Sequence, residues 1–241
     1  MSSLIILNWK MNLLFEQVLP LVKQIYPLKN LAHIIVAPPA PYLAYLAQEL
    51  PQIDYAAQDI SLCNDQGAYT GEYSAQIIHS CGINYTIIGH SERRNLFSET
   101  NEMVKRKFGN AIKYNLTPIL CIGETIESKQ NNQTEDYLTR QLQVIPHDYQ
   151  GKIIIAYEPL WAIGSGLIPS IAELYKIIQF LKSHKNLSSV ANNLQIVYGG
   201  SVNSSNAKEI LQINGIDGLM IGSAALKFQE IKLILENITN V

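Results

Sequence analysis

The sequence predicts an α/β protein, a single-domain (β/α)8 barrel that spans residues 1–241. Three observations support this fold. The chain has 241 residues, of which 47% are hydrophobic and 16% charged, and a length of about 250 residues is typical of such barrels. Eight short apolar segments recur along it, and helical patterns lie between them without any break in composition. A doubly wound open sheet is the alternative, because periodicity alone does not prove closure.

The eight predicted strands are apolar along almost their whole length. They cover residues 4–9, 33–38, 54–59, 85–90, 117–123, 152–159, 195–200 and 218–223. Strands in which apolar and polar residues alternate have one face in water. Continuous apolar runs are instead typical of a parallel sheet that is covered on both faces.

Four helical patterns lie between these segments. The first, residues 98–115, has Ser98 as its predicted N-cap and Glu102 in its first turn,. The second, residues 169–185, has Pro169 at its predicted first helical position and basic residues at its end,. Residues 203–213 and 224–238 also have apolar residues at helical spacing,.

Composition excludes several classes of function. A formal net charge of -2 gives no basic surface for nucleic acid. The three cysteines, Cys63, Cys81 and Cys121, are widely spaced, so neither a zinc site nor a disulfide framework is predicted. The first ten residues lack the basic start of a signal peptide, and no apolar run is long enough to cross a membrane. We therefore expect a cytoplasmic protein without a metal or an organic cofactor.

Polar residues and glycines collect where the predicted strands end. The first strand leads to Asn8 and Lys10, the fourth to His90, and the sixth to Glu158. The seventh and eighth lead to the turns "GGS" at 199–201 and "GS" at 222–223. The carboxyl ends of the strands form the mouth of a barrel, where active sites are found.

Glu158 is the candidate base and His90 the candidate acid. A carboxylate at the mouth is partly removed from water, which makes it a stronger base. A neutral imidazole can give a proton to a developing oxyanion and take one back. The alternatives are a glutamate that caps a helix or forms an ion pair, and a histidine that is satisfied in the core. The position of His90 at the end of a strand favours catalysis.

Lys10 and Asn8 are candidates for stabilising negative charge on a substrate. An ammonium group at the mouth would attract an oxyanion or a phosphate, and the Asn8 amide could bind a substrate oxygen. The alternatives are a surface lysine and an asparagine that caps the strand. The small residues Ser201, Gly222 and Ser223 would let backbone N–H groups approach a phosphate, since the loops after the last two strands form the usual phosphate site of barrels.

The segment "AYEPLWAIGSGLIP" at 156–169 predicts a mobile lid. Pro159 stiffens its near end, Trp161 is unusual for a surface loop, and Gly164 and Gly166 permit movement. A base, a neutral acid, a cation, a phosphate cradle and a lid together suit proton abstraction beside a carbonyl on a small phosphorylated substrate. A lid is needed because the enediolate formed in this way eliminates phosphate in water.

These segments resemble the signature segments of the triosephosphate isomerase family. "NWKMN", "GHSERR", "CIGE", "AYEPLWAIGSG" and "YGGSV" occur in the family's order, and the resemblance covers nearly the whole chain. It implies a TIM barrel that interconverts dihydroxyacetone phosphate and D-glyceraldehyde 3-phosphate in glycolysis and gluconeogenesis.

The resemblance also implies roles for individual residues. Glu158 would carry the proton between two substrate carbons, and His90 would move protons between the oxygens. Lys10 would stabilise the enediolate, and Asn8 would bind a substrate oxygen. The remaining implied roles are phosphate binding by the N–H groups of Gly164, Ser201, Gly222 and Ser223, support of the Lys10 region by Glu92, packing of Cys121 behind Glu158, and a Glu124–Trp161 hydrogen bond in the open lid.

Family members are usually homodimers in which the third loop reaches the partner's active site. The segment "GAYTGE" at 67–72 resembles that loop, so the resemblance implies a homodimer formed through residues 59–73. Thr70 would then approach Lys10 of a second copy.

Two features depart from the family's pattern. Ser223 stands where glycine is common, and it would be strained if its φ were positive. The lid ends in Leu167-Ile168-Pro169, and this end is about two residues shorter than usual if Pro169 matches the proline that starts the next helix in the family.

Two rival functions remain at the level of the sequence. Another phosphate-binding barrel isomerase or epimerase would act on larger sugar phosphates. A catalytically inactive homologue would lack at least one of Lys10, His90 and Glu158, whereas all three are present.

Overall fold

The computed structural model describes residues 3–163 and 166–239, in which the strands form a closed parallel barrel. Each strand pairs with the next along the chain, and β8 returns to β1, with Leu4 opposite Gly218. The strands are β1 Leu4–Asn8, β2 His33–Ala37, β3 Asp54–Ala57, β4 Tyr85–Ile88, β5 Thr117–Ile122, β6 Ile153–Tyr157, β7 Leu194–Tyr198 and β8 Gly218–Ile221. The prediction of a (β/α)8 barrel is confirmed, and the open sheet is excluded.

Helices occupy the connections between successive strands. They are α1 Phe15–Ile25, α2 Ala40–Glu49, α3 Ala75–Ser80, α4 Ser91–Leu96, α5 Asn101–Lys113, α6 Ile126–Gln130, α7 Thr134–Leu142, α8 Ile171–Ser183, α9 Ala207–Leu211 and α10 Phe228–Thr239. Short 3-10 helices follow α1 at Tyr26–Asn30, β6 at Leu160–Ala162, α8 at Lys185–Asn193 and β8 at Ser223–Leu226.

The strands are apolar throughout because their two faces are buried in different cores. Leu4 and Ile6 point into the barrel, where they join Ile35, Cys121, Ile154 and Val197 in one cluster. Ile5 and Leu7 point outward into a second cluster that packs between the barrel and the helices. Since successive side chains in a strand face opposite ways, both faces require apolar residues.

The start of α5 differs from the prediction. Thr100, not Ser98, is its N-cap, and the Thr100 side chain accepts a hydrogen bond from the N–H of Met103. Ser98 has a φ of 55°, which belongs to a left-handed turn, so its backbone cannot lead into a helix. Glu102 lies in the first turn as predicted.

The start of α8 also differs from the prediction. Pro169 does not begin the helix, because Ser170 is the N-cap and Ile171 the first helical residue. A reciprocal capping box joins the side chains of Ser170 and Glu173 to each other's backbone N–H groups,. The prediction of a shortened lid depended on matching Pro169 to a proline that starts the helix. Since Pro169 lies before the N-cap, that match is not supported.

The last two predicted helices are shorter or divided. Residues 203–206 precede α9, which covers only five residues. The pattern at 224–238 divides into the 3-10 helix and α10, which begins at Phe228. Apolar spacing reported the buried faces correctly but did not report where the backbone leaves the α-helical conformation.

Candidate active site

Strand periodicity brings the predicted polar residues to the mouth of the barrel. Asn8 continues the inward row of Leu4 and Ile6, and Glu158 continues that of Ile154 and Ala156,. At the mouth lies a cavity of about 430 Å³. Its lining includes Asn8, Lys10, His90, Glu92, Glu158, Ser201, Gly222 and Ser223, together with the lid residues Ile163 and Gly166.

Glu158 is almost completely buried beside His90. Only 3% of the residue is exposed, and its Oε1 lies 3.4 Å from Nε2 of His90. Its backbone N–H donates to the carbonyl of Ile122 at 2.7 Å, which fixes the backbone against β5. The Oε2 atom has no hydrogen-bond partner within the described chain, so this carboxylate has an oxygen that is poorly solvated and available as a base.

Cys121 lies directly behind this carboxylate on the inner face of β5. Burial raises the pKa of the Cys121 thiol well above its usual range, and the negative charge of Glu158 raises it further. The side chain is therefore a neutral thiol at physiological pH and acts as a small apolar residue rather than a nucleophile.

His90 is held in one tautomer by the helix that follows it. It is the N-cap of α4, and its Nδ1 accepts a hydrogen bond of 3.2 Å from the backbone N–H of Glu92. An accepting Nδ1 carries no proton, so the ring proton of the neutral imidazole is on Nε2, which faces Glu158,. This tautomer can donate a hydrogen bond to a substrate oxygen between the two side chains.

Lys10 has a strained backbone, and three contacts hold the residue in place. Its φ is 52°. Its N–H donates to Oδ1 of Asn8 at 3.0 Å, and its carbonyl accepts from Nε2 of Gln58 at 2.8 Å. The ammonium group contacts Oε1 of Glu92 at 2.7 Å. A Cβ added at Gly222 would lie 3.3 Å from Cε of Lys10. The absence of a side chain at Gly222 therefore leaves room for the Lys10 side chain to reach the cavity.

The loops after β7 and β8, for which the sequence predicts phosphate binding, also line the cavity. Ser201 Oγ donates a hydrogen bond of 2.7 Å to the carbonyl of Ala162, which joins the loop after β7 to the lid. Gly222 has φ -95° and ψ -100°, whereas Ser223 is not among the residues with positive φ. The strain considered for Ser223 is therefore absent. The predicted phosphate ligand Gly164 lies outside the described residues.

Trp161 anchors the near end of the lid. Its Nε1 donates to Oε1 of Glu124 at 2.7 Å, and the hydroxyl of Tyr157 donates to Oε2 of the same carboxylate at 3.0 Å. The Trp161 bond forms while Ile163 and Gly166 line the catalytic cavity. That this bond belongs to an open lid stays a prediction.

Thr70 lies apart from these residues, exposed in the 59–73 loop. A second cavity of about 500 Å³ adjoins the active site, and Lys10, His90 and Glu92 line one end of it. The exposed apolar side chains of Met11, Tyr73 and Phe97 also line it, together with charged residues such as Glu72 and Arg93.

Sequence reasoning missed the residues that support the site from behind. Gln58 bonds the carbonyls of both Lys10 and Ala37 at 2.8 Å. Lys107 is buried with Asp59 and Glu99 and forms an ion pair with each. A single glutamine after a strand carries no signal of this role. A helical lysine is usually exposed, so its sequence position gave no indication that it would be buried.

Two other features are absent from the described part of the chain. In residues 3–163 and 166–239, no helix is long and apolar enough to cross a membrane. The same residues contain no group of three or more His, Cys, Asp or Glu side chains that could hold a metal ion.

Comparison with known proteins identifies one family. The model of the family described as "Triosephosphate isomerase" matches residues 3–238. The triosephosphate isomerase of Francisella philomiragia is 39% identical over 252 residues, which cover 100% of this chain and 99% of that protein. The one from Orientia tsutsugamushi strain Boryong is 37% identical over 246 residues, with 99% and 98% covered.

A solved structure agrees along the whole length. The crystal structure of triosephosphate isomerase from Bartonella henselae superposes with a TM-score of 0.89 at 32% sequence identity, and the match covers 100% of both chains. With the family model over nearly the entire chain and full-length relatives well above 30% identity, this chain belongs to the triosephosphate isomerase family.

Proposed function

We propose that residues 1–241 form one catalytic domain that interconverts dihydroxyacetone phosphate and D-glyceraldehyde 3-phosphate through an enediol(ate). The observation that carries this proposal is the pairing of a buried carboxylate with a histidine whose Nδ1 accepts a backbone hydrogen bond. Glu158 Oε1 and His90 Nε2 lie 3.4 Å apart in a cavity that also contains Lys10 and the two phosphate loops. The family's name describes the same reaction.

In the first half of the reaction, Glu158 removes a proton from the hydroxymethyl carbon of dihydroxyacetone phosphate. The electron pair of the broken C–H bond forms the C=C bond of the enediolate, and the carbonyl oxygen becomes negative. His90 Nε2–H stabilises that oxygen, and the ammonium group of Lys10 and the amide of Asn8 lower its energy further. Glu158 then returns the proton to the neighbouring carbon, after His90 has moved a proton between the two oxygens.

This sequence of steps requires neither a metal nor an organic cofactor, since Lys10 and His90 supply the electrostatic stabilisation. The N–H groups of Ser201, Gly222 and Ser223, and of Gly164 in the lid, would hold the phosphate. Glu92 positions Lys10, with which it forms an ion pair. Glu124 positions the lid through its hydrogen bond with Trp161. Cys121 positions the base because it packs beside Glu158.

We further propose a cytoplasmic homodimer. The groove lined by Met11, Tyr73 and Phe97 runs up to Lys10, and its exposed apolar side chains suit burial by another protein surface. The 59–73 loop of a second copy would fill it and bring its Thr70 toward Lys10.

The test of the function is a coupled isomerase assay on the purified protein, with Glu158→Gln as the informative variant. Glutamine keeps the shape of the side chain but cannot accept the proton, so kcat should fall by roughly 10³-fold or more. Binding of a phosphorylated substrate analogue should survive, which serves as the control for folding. Near-normal turnover by the variant would exclude Glu158 as the base. A wild-type protein that turns over only larger sugar phosphates would favour the rival barrel isomerases.

A further inference from the structure

A small cavity borders Glu158 in addition to the catalytic one. Its volume is about 10 Å³, which admits about one water molecule. Three of its lining residues have a buried polar atom without a hydrogen-bond partner in the described part of the chain, namely Nη2 of Arg94, Oγ of Ser91 and Oε2 of Glu158. Because so little water fits between these residues, a charge on Arg94 is poorly screened from the carboxylate.

Arg94 reaches back from α4 to the turn that carries His90. Its Nε donates a hydrogen bond of 2.7 Å to the carbonyl of Gly89, the residue directly before His90. Its Nη1 donates at 2.7 Å to Oδ1 of Asn101, the first residue of α5. A Cβ at Gly89 would lie 2.8 Å from Nη2 of Arg94, and φ at Gly89 is 68°. Glycine therefore suits this position both sterically and conformationally, and the guanidinium fixes the turn.

The guanidinium of Arg94 carries a positive charge at neutral pH. Burial lowers its pKa, and nearby acidic side chains, which include Glu99 and Glu158, partly offset that effect. Both of its hydrogen-bond acceptors named above are neutral, since one is a backbone carbonyl and the other an amide oxygen. The ammonium group of Lys10, by contrast, is paired with the carboxylate of Glu92.

The charged and titratable side chains that face Glu158 come from three strands and the segments that follow them. They are Lys10 after β1, His90, Glu92 and Arg94 after β4, and Cys121 in β5. Burial raises the pKa of Cys121 and keeps it a neutral thiol, and the charges of Lys10 and Glu92 offset each other. Since the hydrogen bonds of Arg94 go to neutral acceptors, its charge is available to act on the Glu158 carboxylate.

We propose that Arg94 is a positioning residue for the isomerisation, which holds the turn that carries His90 and whose positive charge keeps Glu158 ionised. It touches neither the substrate nor the reacting atoms. A glutamate accepts a proton only as a carboxylate, and burial of a carboxylate favours its protonated form, whereas a fixed cation beside it opposes that change. The inference rests on the proposed function, because the ionisation of Glu158 matters only if Glu158 is the base.

The first experiment measures kcat/KM against pH for Arg94→Gln and for its matched control, Arg106→Gln. Each variant loses one positive charge, and Arg106 is exposed on α5. Without the guanidinium, Glu158 becomes protonated at a higher pH, so the acid limb of the profile should move up by about one pH unit. On the plateau, kcat should fall about 10-fold, because the turn at Gly89 loses its hydrogen bond and His90 shifts. Arg106→Gln should match the wild type in both measurements.

A second variant, Asn101→Asp, separates the charge of Arg94 from its hydrogen bonds. Aspartate has nearly the same shape and keeps an oxygen that accepts from Nη1 of Arg94, but its negative charge offsets that of the guanidinium. A carboxylate also suits the first turn of α5, so the melting temperature should not fall. The acid limb should move in the same direction as in Arg94→Gln, by a smaller amount. The plateau kcat should stay at the wild-type value, because the hydrogen bond to Gly89 remains.

The outcomes distinguish failure of this inference from failure of the proposed function. A wild-type protein without isomerase activity would refute that function itself. An active wild type whose acid limb moves in neither Arg94→Gln nor Asn101→Asp would overturn the role of Arg94, even if Arg94→Gln were less stable. If Arg94→Gln does not fold, Asn101→Asp alone decides. An equal movement of the limb in Arg106→Gln would show that net charge and not the position of Arg94 is responsible, and would overturn the inference as well.

Discussion

At the scale of single residues, the position of Glu158 depends on two neighbouring glycines, Gly199 and Gly123, which leave room for it. A Cβ at Gly199 of the loop after β7 would lie 2.7 Å from Cγ of Glu158 and 3.1 Å from its Oε1. A Cβ at Gly123 would overlap the Glu158 carbonyl oxygen. Neither glycine has a positive φ. Both positions are therefore glycine because Glu158 packs too closely for a side chain, and not because the backbone needs extra freedom. The base is thus held by contacts on its side chain and on its backbone.

Gly199→Ala should therefore lower kcat by displacing the base. The added methyl group meets a side chain that can move, so folding should survive while the carboxylate shifts by a few tenths of an ångström or more. Misplacement on this scale costs on the order of 10- to 100-fold in rate. The measurement is kcat in the coupled assay, with the melting temperature as a check on folding.

Gly109→Ala is the matched control for this variant. Gly109 lies inside α5, and nothing lies within 4 Å of the Cβ that alanine would add. Alanine in a helix interior should stabilise the protein by about 0.5–1 kcal/mol, and kcat should not change. Wild-type turnover by Gly199→Ala would contradict the steric explanation for that glycine.

At the scale of elements, the sequence predicted which segments exist better than where they end. All eight strands were located, but every prediction ran one or two residues too far into the mouth. Asn8 and Ala37 end their strands one residue before the predicted ends, whereas His90 and Glu158 follow theirs. The apolar pattern indicates which residues are buried. Because residues just past the last hydrogen bond of a strand are also buried, the predicted strands were too long. The start of α5 was misplaced because Ser98 and Thr100 are both good cap residues, and only φ distinguishes them.

Thr100→Ala should destabilise the protein, while Ser98→Ala should not. Thr100 loses the hydrogen bond that its side chain accepts from the N–H of Met103, and loss of an N-cap costs about 1 kcal/mol. Ser98 caps nothing in the structure, and alanine would keep its left-handed backbone, so the change should stay within about 0.5 kcal/mol. Denaturant unfolding at one protein concentration measures both. An equal loss in the two variants would show that the cap is shared.

At the scale of the whole molecule, the sequence predicted the residues of the site but not their supports. Strand ends and barrel closure suffice to bring Asn8, Lys10, His90 and Glu158 together, because each lies at or just after the end of a strand of the same sheet. Gln58 and Lys129 contact residues that lie 48 and 32 positions away in the chain. No local pattern encodes such pairs, since they depend on how loops and helices pack around the barrel.

The groove beside Lys10 leads to a prediction about assembly. Met11 is 94% exposed and Phe97 64% exposed in the isolated chain, and Tyr69 of the 59–73 loop is 53% exposed. A second copy that covers these side chains would remove a large apolar area from water, which favours association. We therefore expect the protein to sediment at about twice the chain mass of 27.0 kDa.

Tyr69→Asp should weaken that dimer and, with it, the activity. An aspartate would replace the large apolar contact area of the tyrosine with a charge that must leave water, and both changes oppose association. Sedimentation should then report a mixture of masses, and specific activity should rise with protein concentration because Lys10 needs the partner's loop. Leu233→Asp is the control, since Leu233 is 45% exposed on α10, away from the groove, and should leave both measurements unchanged. A fully active wild-type monomer, or equal effects of the two substitutions, would refute assembly through residues 59–73.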